Sequence, residues 1–476
     1  MDEPPIETLS ILLGLVVLAL ALGMSVHVLL RKPDERAAVA WIGLIWLSPV
    51  LGSVLYVLLG INRIRRRARK LRSPRQPVAA EAGRVSAALP PAADGLAMLA
   101  KIVDRFADGP LLDGNRVTPL IDGDAAYPEM IGAIDGAERS VALSSYIFSH
   151  DPTGLRFVDA LERACKRGVA VRVLVDGIGA LYSLRPIRTE LRRRGIPSAR
   201  FLFSLVPWRV SFLNLRNHRK LLVVDGQVGF TGGMNIRRHH VVGEATRTPV
   251  RDIHFRVEGP VVAQMMEVFA EDWWFTTRED LGGEAWFPPI ASAGPVVSRG
   301  IAAGPHEEQQ KMLWTLFGAV AEARRSVRIV TPYFLPDEAL MTALRLAAMG
   351  GVEIDIVLPE KNNLPLVAWA AAVRLDPLLA AGCRLWLSPP PFDHAKLMVV
   401  DGVWSLFGSS NWDPRSLRLN FEFNVEAYDA DLAGRLEAIV AERIAAARPL
   451  TLETLNARSL PVALRDGVAR LLTPYL

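Results

Sequence analysis

The chain carries one eighteen-residue pattern twice, and that repeat restricts it to a fold built in duplicate. HRKLLVVDGQVGFTGGMN runs from His218 to Asn235, and HAKLMVVDGVWSLFGSSN from His394 to Asn411. His218, Lys220, Asp225, Gly232, Gly233 and Asn235 stand in register with His394, Lys396, Asp401, Gly408, Ser409 and Asn411, 176 residues further on. A single copy is within reach of chance, as a strand followed by an Asp-Gly turn. Two copies with Gly and Asn at the same offsets are not.

A weaker repeat surrounds the strong one. SVALSSYIF (Ser140–Phe148) aligns with SVRIVTPYF (Ser326–Phe334), and KRGVAVRVLVDG aligns with MGGVEIDIVLPE. The spacing predicts helices through Met130, Ile131 and Ile134, over Leu155–Lys166, from about Glu307 to Ala323, and over Asp337–Met349. Strands are expected over Ser140–Phe148, Val169–Val175, Ser326–Phe334 and Val352–Leu358. This β-α-β order requires a parallel sheet with crossover helices, and the Asp-Gly turns add antiparallel pairs, so the class is α/β with mixed sheets. At 476 residues there is room for two such cores. The expected division is 96–290 for the first half and 291–476 for the second, joined in the Gly/Pro/Ala-rich stretch between about Gly282 and Pro305.

Half of the residues are hydrophobic, and the first 61 explain much of the excess. Ile6–Leu30 is long and apolar enough to cross a bilayer as a helix, and a second apolar run follows from Ala37 to Ile61. Together they predict a transmembrane helical hairpin, residues 1–61. A cleaved signal peptide needs positive charge at its start, where Asp2, Glu3 and Glu7 stand. Eight basic residues between Arg63 and Arg75, with no acid among them, open a juxtamembrane linker, residues 62–95; without them the formal charge falls from +5 to −3. The positive charge therefore sits beside the apolar segment, which suits an anionic membrane surface and argues against nucleic acid as partner. By the positive-inside rule the rest of the chain faces the cytoplasm, and the expected location is the inner membrane, multi-pass. Cys165 and Cys383 fit neither a disulfide framework nor a zinc pattern, so no metal is expected.

Two positions apart on a strand, His218 and Lys220 share a face, as do His394 and Lys396, while Arg219 and Ala395 point away. Asp225 and Asp401 lie at odd spacing and so face away from their own histidines. An imidazole acting as nucleophile or base needs a carboxylate to set its tautomer, and that acid must come from a neighbouring strand. Candidates are Asp252, 34 residues after His218, and Glu422, 28 residues after His394; the carboxylate for the second motif is sought at Glu422. Asn420, Glu422 and Asn424 share one strand face, which reads either as a polar row at the site or as a solvated edge. The lysines offer cations to phosphate oxygens, and Asn235, Asn411 and Ser409 offer neutral donors.

In these residues the chain resembles the phospholipase D superfamily, whose HxKxxxxD motif followed by GSxN or GGxN occurs twice per active site. TGGMNI, RDIHFRVEGP, TPYFLPD and GSSNWDPRSLRLNFEFNVE, with the N-terminal apolar pair, are similar to bacterial cardiolipin synthases in particular. The resemblance implies two phospholipase D-like halves around one pseudo-twofold active site. It implies a catalytic set of His218, Lys220, Asp225, His394, Lys396 and Asp401, substrate binding by Gly233, Asn235, Ser409 and Asn411, and orientation of the histidines by Asp252 and Glu422, with no cofactor. One histidine, His218 by preference, attacks the phosphorus of phosphatidylglycerol, and His394 protonates the leaving glycerol; a second phosphatidylglycerol then takes the phosphatidyl group. Gly233 stands where the commoner motif has Ser, and its backbone N–H is expected to serve instead. A hydrolytic phospholipase D would use the same residues with water as acceptor, and a superfamily nuclease is disfavoured by the charge distribution. A scaffold with a relic site should have lost a motif residue, and none is lost.

Three further features carry less. The stretch Phe201–Arg216 reads either as a lipid entrance anchored by Trp208 and Phe212 or as a packed strand and loop. His239 and His240 read as ordinary surface or packing residues. Pro389–Pro391 is expected to shape the loop into the second motif. Oligomeric state is not legible.

Overall fold

The structure, a computed structural model, describes residues 5–32, 34–60, 86–182, 185–202, 215–244, 246–305 and 310–473. The arginine cluster, Trp208 and Phe212 lie outside these residues. The chain divides into two compact units, Met1–Arg72 and Ser73–Leu476.

In the first unit, α1 (Pro5–Arg31) presents Ile11, Leu15, Leu22, Val26 and Leu29 outward, and over Ser10–Arg31 it is long and apolar enough to cross a membrane. The second apolar run differs from the expected single helix. It forms α2 (Glu35–Leu47), breaks at Ser48, resumes as α3 (Pro49–Leu55) and ends in a π turn, Tyr56–Gly60. Pro49 is the cause: it has no N–H to give the preceding turn, and its ring crowds that turn's carbonyl. These pieces pack on α1 through Ala21, Val28, Ile45 and Tyr56. Trp46 Nε1 donates to Ser25 Oγ at 3.1 Å, and His27 Nδ1 lies 2.9 Å from the Tyr56 hydroxyl, so side-chain hydrogen bonds join the pieces to α1.

The second unit is organised on one sheet of fifteen strands among the described residues. The first half contributes β1 (Leu112–Ile121), β2 (Ser140–Ser145), β3 (Ala170–Asp176), β4 (Ser198–Phe201), β5 (Leu221–Val224), β6 (Val228–Gly232), β7 (Val250–Arg251) and β8 (Ile253–Glu258). The second contributes β9 (Val296–Ala303), β10 (Ser326–Val330), β11 (Glu353–Pro359), β12 (Arg384–Ser388), β13 (Phe392–Asp393), β14 (Leu397–Val400), β15 (Trp404–Gly408), β16 (Glu422–Tyr428) and β17 (Arg448–Leu450). Of these seventeen, β7 and β13 pair only with each other, in a separate parallel two-stranded sheet. Outward from the centre the order is β1-β8-β6-β5-β2-β3-β4 on one side and β9-β16-β15-β14-β10-β11-β12-β17 on the other, so seven strands of each half correspond and β17 is added at one edge. The β2–β3 and β10–β11 pairs are parallel and the motif hairpins antiparallel, which makes the sheet mixed. The strands expected to reach Phe148 and Phe334 leave the ladder early, at Ser145 and Val330; Phe148 then bridges Ile236, and Phe334 bridges Trp412.

The halves meet where β1 and β9 pair antiparallel, and Asn115 Nδ2 spans the irregular register there with bonds to the carbonyls of Leu112 (2.7 Å) and Val296 (3.1 Å). β9 lies inside the Gly/Pro/Ala-rich stretch. Its Gly300 answers a packing need, because a Cβ there would stand 2.7 Å from the Phe423 ring.

Each motif strand divides its apolar side chains between two cores, as period-two geometry demands. Leu221 and Val223 join Leu397 and Val399 in a central core, with the helices Val261–Thr277 and Ala430–Ala446. Leu222 and Val224 face an outer core under the helices Asp122–Asp135 and Pro152–Lys166, and Met398 and Val400 face its counterpart under Lys311–Glu322 and Glu338–Met349. Phe255 stacks on Phe407 at 3.9 Å through the centre.

The motif aspartates close this arrangement at the hairpin ends. Asp225 and Gly226 have φ of 52° and 64°, Asp401 and Gly402 of 54° and 66°, and Gln227 and Val403 donate back to Val224 and Val400 at 3.0 and 3.1 Å. Positive φ at both central positions defines the type I′ turn that matches strand twist. The Asp225 carboxylate accepts the N–H groups of Glu138, Arg139 and Ser140, and the Asp401 carboxylate those of Arg324, Arg325 and Ser326. Each aspartate thus clamps the start of the neighbouring strand. Asp401→Ala should cost about 2 kcal/mol or more of stability through the lost charge-assisted bonds, read as a lower urea midpoint, with turnover per folded molecule largely kept. An unchanged midpoint with lost turnover would contradict the clamp.

Candidate active site

Both motif histidines stand just before their strands, where the chain touches the opposite half. His218 N–H donates to Phe421 O at 2.9 Å, and His394 N–H donates to Arg251 O at 2.8 Å. Phe421 and Arg251 each immediately precede an acid, so these two bonds deliver Glu422 to His218 and Asp252 to His394. His218 Nδ1 lies 2.9 Å from Glu422 Oε2, and His394 Nδ1 lies 2.9 Å from Asp252 Oδ2. The pairing expected within each half is therefore crossed, and the acid beside the second motif is Asp252, not Glu422. Asp225 and Asp401 are not brought to the histidines; they occupy the turns.

Glu422 is fully buried and well supplied with donors. Ser409 Oγ donates to Oε2 at 2.5 Å and Asn420 Nδ2 to Oε1 at 3.0 Å, while Phe423 N–H donates to Ser409 Oγ at 2.9 Å. The Ser409 hydroxyl serves the acid, a role different from the phosphate contact expected of it. Because β16 is flanked by β15 and β9, the Asn420–Glu422–Asn424 row lies at the centre and not at a solvated edge.

Asp252 is equally buried but has fewer partners, with Ile253 N–H on Oδ1 at 2.8 Å. Gly233 is the counterpart of Ser409, and a Cβ there would stand 2.6 Å from Asp252 Oδ1. The missing side chain is what admits this carboxyl. Gly232 and Gly408 pass close to the carbonyls of Ile253 and Phe423, with φ of 151° and 155°.

The lysines are buried beside the imidazoles. Lys220 Nζ donates to His218 O at 2.6 Å and lies 5.5 Å over the Tyr146 ring; Lys396 Nζ donates to His394 Nδ1 at 2.9 Å. Asn235 Oδ1 accepts the Ile147 N–H at 3.1 Å, which anchors that amide. Asn411 Nδ2 donates to Ser416 Oγ at 3.2 Å and leaves Oδ1 buried and unpartnered. A half-turn of that amide lets Ser416 donate to Oδ1 and frees Nδ2. Among the described residues no group of three or more His, Cys, Asp or Glu side chains is arranged to hold a metal.

Burial sets the electrostatics. It pushes His218 down to about 4 despite the opposing pull of Glu422, and it drives His394 well below the usual range, with Lys396 adding to the effect. Burial lowers Lys220 to about 7 and Lys396 to about 8 and raises Asp252 to about 8. Burial also opposes charge on Glu422, but His218, Lys220 and the Ser409 hydroxyl outweigh it, and its pKa is lowered. The two acids thus differ: one keeps its charge, while the other holds a proton near neutral pH.

Sequence reasoning missed several neighbours. Tyr146 meets the His218 ring edge-on at 5.0 Å, and Tyr333 meets His394 at 6.3 Å; both lie near the ends of the repeated strand segments, one position out of register, which was the available signal. His240, expected at the surface or in ordinary packing, is buried 6.3 Å from the His394 ring, while His239 is partly exposed and accepts from Arg237 Nε at 3.3 Å. Arg219 points away from the site as expected, into a buried ion pair with Asp272 at 2.7 Å.

Two histidine–acid pairs exchanged between duplicated halves define a phospholipase D-type site. The family model described as the cardiolipin synthase, phospholipase D-like domain matches residues 130–273 and 316–444, and the phospholipase D-nuclease N-terminal model matches 19–60. The chain belongs to the phospholipase D-like cardiolipin synthase family. It is 30% identical to cardiolipin synthase 1 of Bacillus anthracis over 470 residues, covering 95% of this chain and 92% of that protein. Identity to cardiolipin synthase A of Pseudomonas putida (strain W619) is 31% over 475 residues, covering 98% of each. The crystal structure of phosphatidylserine synthase from Haemophilus influenzae superposes with a TM-score of 0.64 at 14% identity, over 80% of this chain and all of that one, which supports the fold.

The charges fix a pH dependence. Above pH 7 to 8 the free enzyme loses the positive charges of Lys220 and Lys396 and gains a negative charge on Asp252, and all three changes oppose a phosphate. In mixed micelles kcat/KM should fall as pH rises through that range, since this parameter reports free-enzyme groups. A flat alkaline limb would contradict the assignment.

Proposed function

We propose that the chain is a cardiolipin synthase, moving a phosphatidyl group from one phosphatidylglycerol to another and releasing glycerol. The observation that carries this is the crossed, inequivalent pair of histidine–acid contacts. Near identity in length and about 30% identity to named cardiolipin synthases support the substrate.

A carboxylate that keeps its charge holds the His218 proton on Nδ1 and leaves Nε2 with its lone pair, the form of a nucleophile. His394 Nδ1 faces the Lys396 ammonium and a protonated Asp252, so it accepts there and carries its proton on Nε2. His218 Nε2 attacks phosphorus, and the phosphorus–oxygen bond to glycerol breaks. The His394 Nε2 proton goes to the departing oxygen while the Asp252 proton moves to Nδ1, so the imidazole stays neutral. In the second step the acceptor hydroxyl oxygen bonds phosphorus, the His218 Nε2–phosphorus bond breaks, and the hydroxyl proton goes to His394 Nε2 as the His394 Nδ1 proton returns to Asp252. Lys220, Lys396, Asn235 and Asn411 hold the phosphate.

The chain division that goes with this reading is a membrane hairpin over 1–61, a basic linker over 62–95, and two halves over 96–290 and 291–476. α1 spans the inner membrane, α2 and α3 supply the return pass, and the basic linker holds the catalytic unit on the cytoplasmic side.

Purified protein in phosphatidylglycerol vesicles should make cardiolipin and glycerol without added metal; phosphatidic acid as the sole phospholipid product would defeat the transferase reading. Glu422→Gln and Asp252→Asn should each lower kcat by about 100-fold or more, the range expected when proton handling is removed, with the urea midpoint little changed. Retained turnover in either variant would remove that acid from the mechanism.

A further inference from the structure

The last described helix of the second unit, Leu460–Leu471, is built inside out. Its inward face carries Asp466 and Ala469, both buried, while Leu460, Leu464, Val468 and Leu471 point outward at 71, 61, 61 and 70% exposure, with Leu472 beside them at 41%. At about 3.6 residues per turn these side chains fall in one stripe along the helix, opposite the packed face. Arg465 borders the stripe on one side and Arg470 on the other, both exposed. Single apolar side chains on a surface are ordinary; a continuous row along one helix is not.

The packed face leads to the active site in one layer. Ala469 joins Tyr333, Leu335, Val367 and Ala370 in a small core shared with the helix Pro365–Ala372, which packs against Leu460–Leu471. Phe392 packs on that core, and the rings of Tyr333 and Phe392 lie 6.3 and 6.0 Å from that of His394. The charge beside the stripe is positive. Arg458 and Arg465 share the single acid Asp466, at 3.0 and 2.7 Å, and the Arg465 guanidinium lies 4.4 Å from the centre of the Trp369 ring. Arg470 adds a third cation, so residues 458–473 hold three positive charges against one negative.

We infer that the helix Leu460–Leu471 lies in the plane of a bilayer surface, its apolar stripe among the acyl chains and its arginines at the headgroup phosphates, and that it seats the catalytic unit there. This docking lies outside the reaction proposed above and rests on that reading only for a substrate that resides in a bilayer. A row of large apolar side chains with cations along both edges is the pattern of a helix at the headgroup–acyl boundary, where arginine stems extend past the apolar face and the guanidiniums reach phosphate. A second copy of the chain fits less well, because a two-fold contact through the stripe sets basic edges against basic edges. Immersion of the stripe keeps the His394 side of the site one packed layer from the headgroups, which shortens the path of a lipid phosphate out of the bilayer.

The test uses the full chain carrying Cys165→Ala and Cys383→Ala, with a nitroxide label on Leu464→Cys or on Val468→Cys, in vesicles of phosphatidylglycerol and phosphatidylcholine. Both labels should lose collisions with a water-soluble nickel complex and gain collisions with oxygen, relative to a label on Lys166→Cys, whose side chain is 72% exposed. Leu464→Asp combined with Val468→Asp should lower the rate on vesicles about tenfold and leave the rate on short-chain phosphatidylglycerol, dissolved as monomers, within about twofold of wild type, since only the vesicle reaction draws on burial of the stripe. Labels open to the nickel complex would overturn the inference. So would spin–spin broadening that vanishes on dilution with unlabelled protein, which would put a second copy on the stripe, and so would equal losses on vesicles and monomers, which would assign the helix to the fold. Wild-type protein that makes no cardiolipin would defeat the functional reading, while the label collisions still decide the docking.

Discussion

Two backbone hydrogen bonds set the chemistry: His218 N–H to Phe421 O, and His394 N–H to Arg251 O. Because each accepting carbonyl belongs to the residue before an acid, the bonds fix both the position of the histidines and the identity of their carboxyl partners. Neither half then contains a complete histidine–acid pair. The continuous sheet through β1 and β9, and the central core that mixes Leu221 and Val223 with Leu397 and Val399, hold the exchange in register. A shift of one residue along either crossing would place Phe421 or Ile253 where an acid is needed, so the register is chemically as well as sterically constrained.

The duplication is faithful in strand order and unfaithful where it matters for proton handling. Ser409 gives Glu422 a short hydroxyl bond, whereas Gly233 gives Asp252 only room. Asn420 adds a further donor to Glu422, and Lys396, which like Lys220 donates to the carbonyl of its own histidine, also reaches that histidine's Nδ1. These small differences keep one carboxylate ionised and let the other hold a proton. Two copies of one motif thereby acquire the opposite tautomers that a two-step transfer requires.

Much of this was legible in the chain. Odd spacing pointed Asp225 and Asp401 away from the histidines, and they are indeed apart, but the strands Leu221–Val224 and Leu397–Val400 contain neither group, and it is the turn that carries each aspartate off. The same alternation singled out Glu422. The crossing of the acids was not legible, since His218 and Glu422 are 204 residues apart and His394 and Asp252 are 142 apart, and no local pattern encodes which half a strand end will touch. The buried setting of His240 depends on tertiary packing in the same way. The break at Ser48-Pro49 was written in the sequence, but the length of the apolar run outweighed a proline signal that the backbone obeys.

The most direct test of the account is where the phosphatidyl group rests between the two steps. Single-turnover reactions with phosphorus-labelled phosphatidylglycerol, quenched under conditions that preserve phosphohistidine and mapped by peptide mass spectrometry, should place the label on the peptide containing His218. Label on the peptide containing His394 would contradict the account, because it would mean that the charged Glu422 does not select the nucleophile.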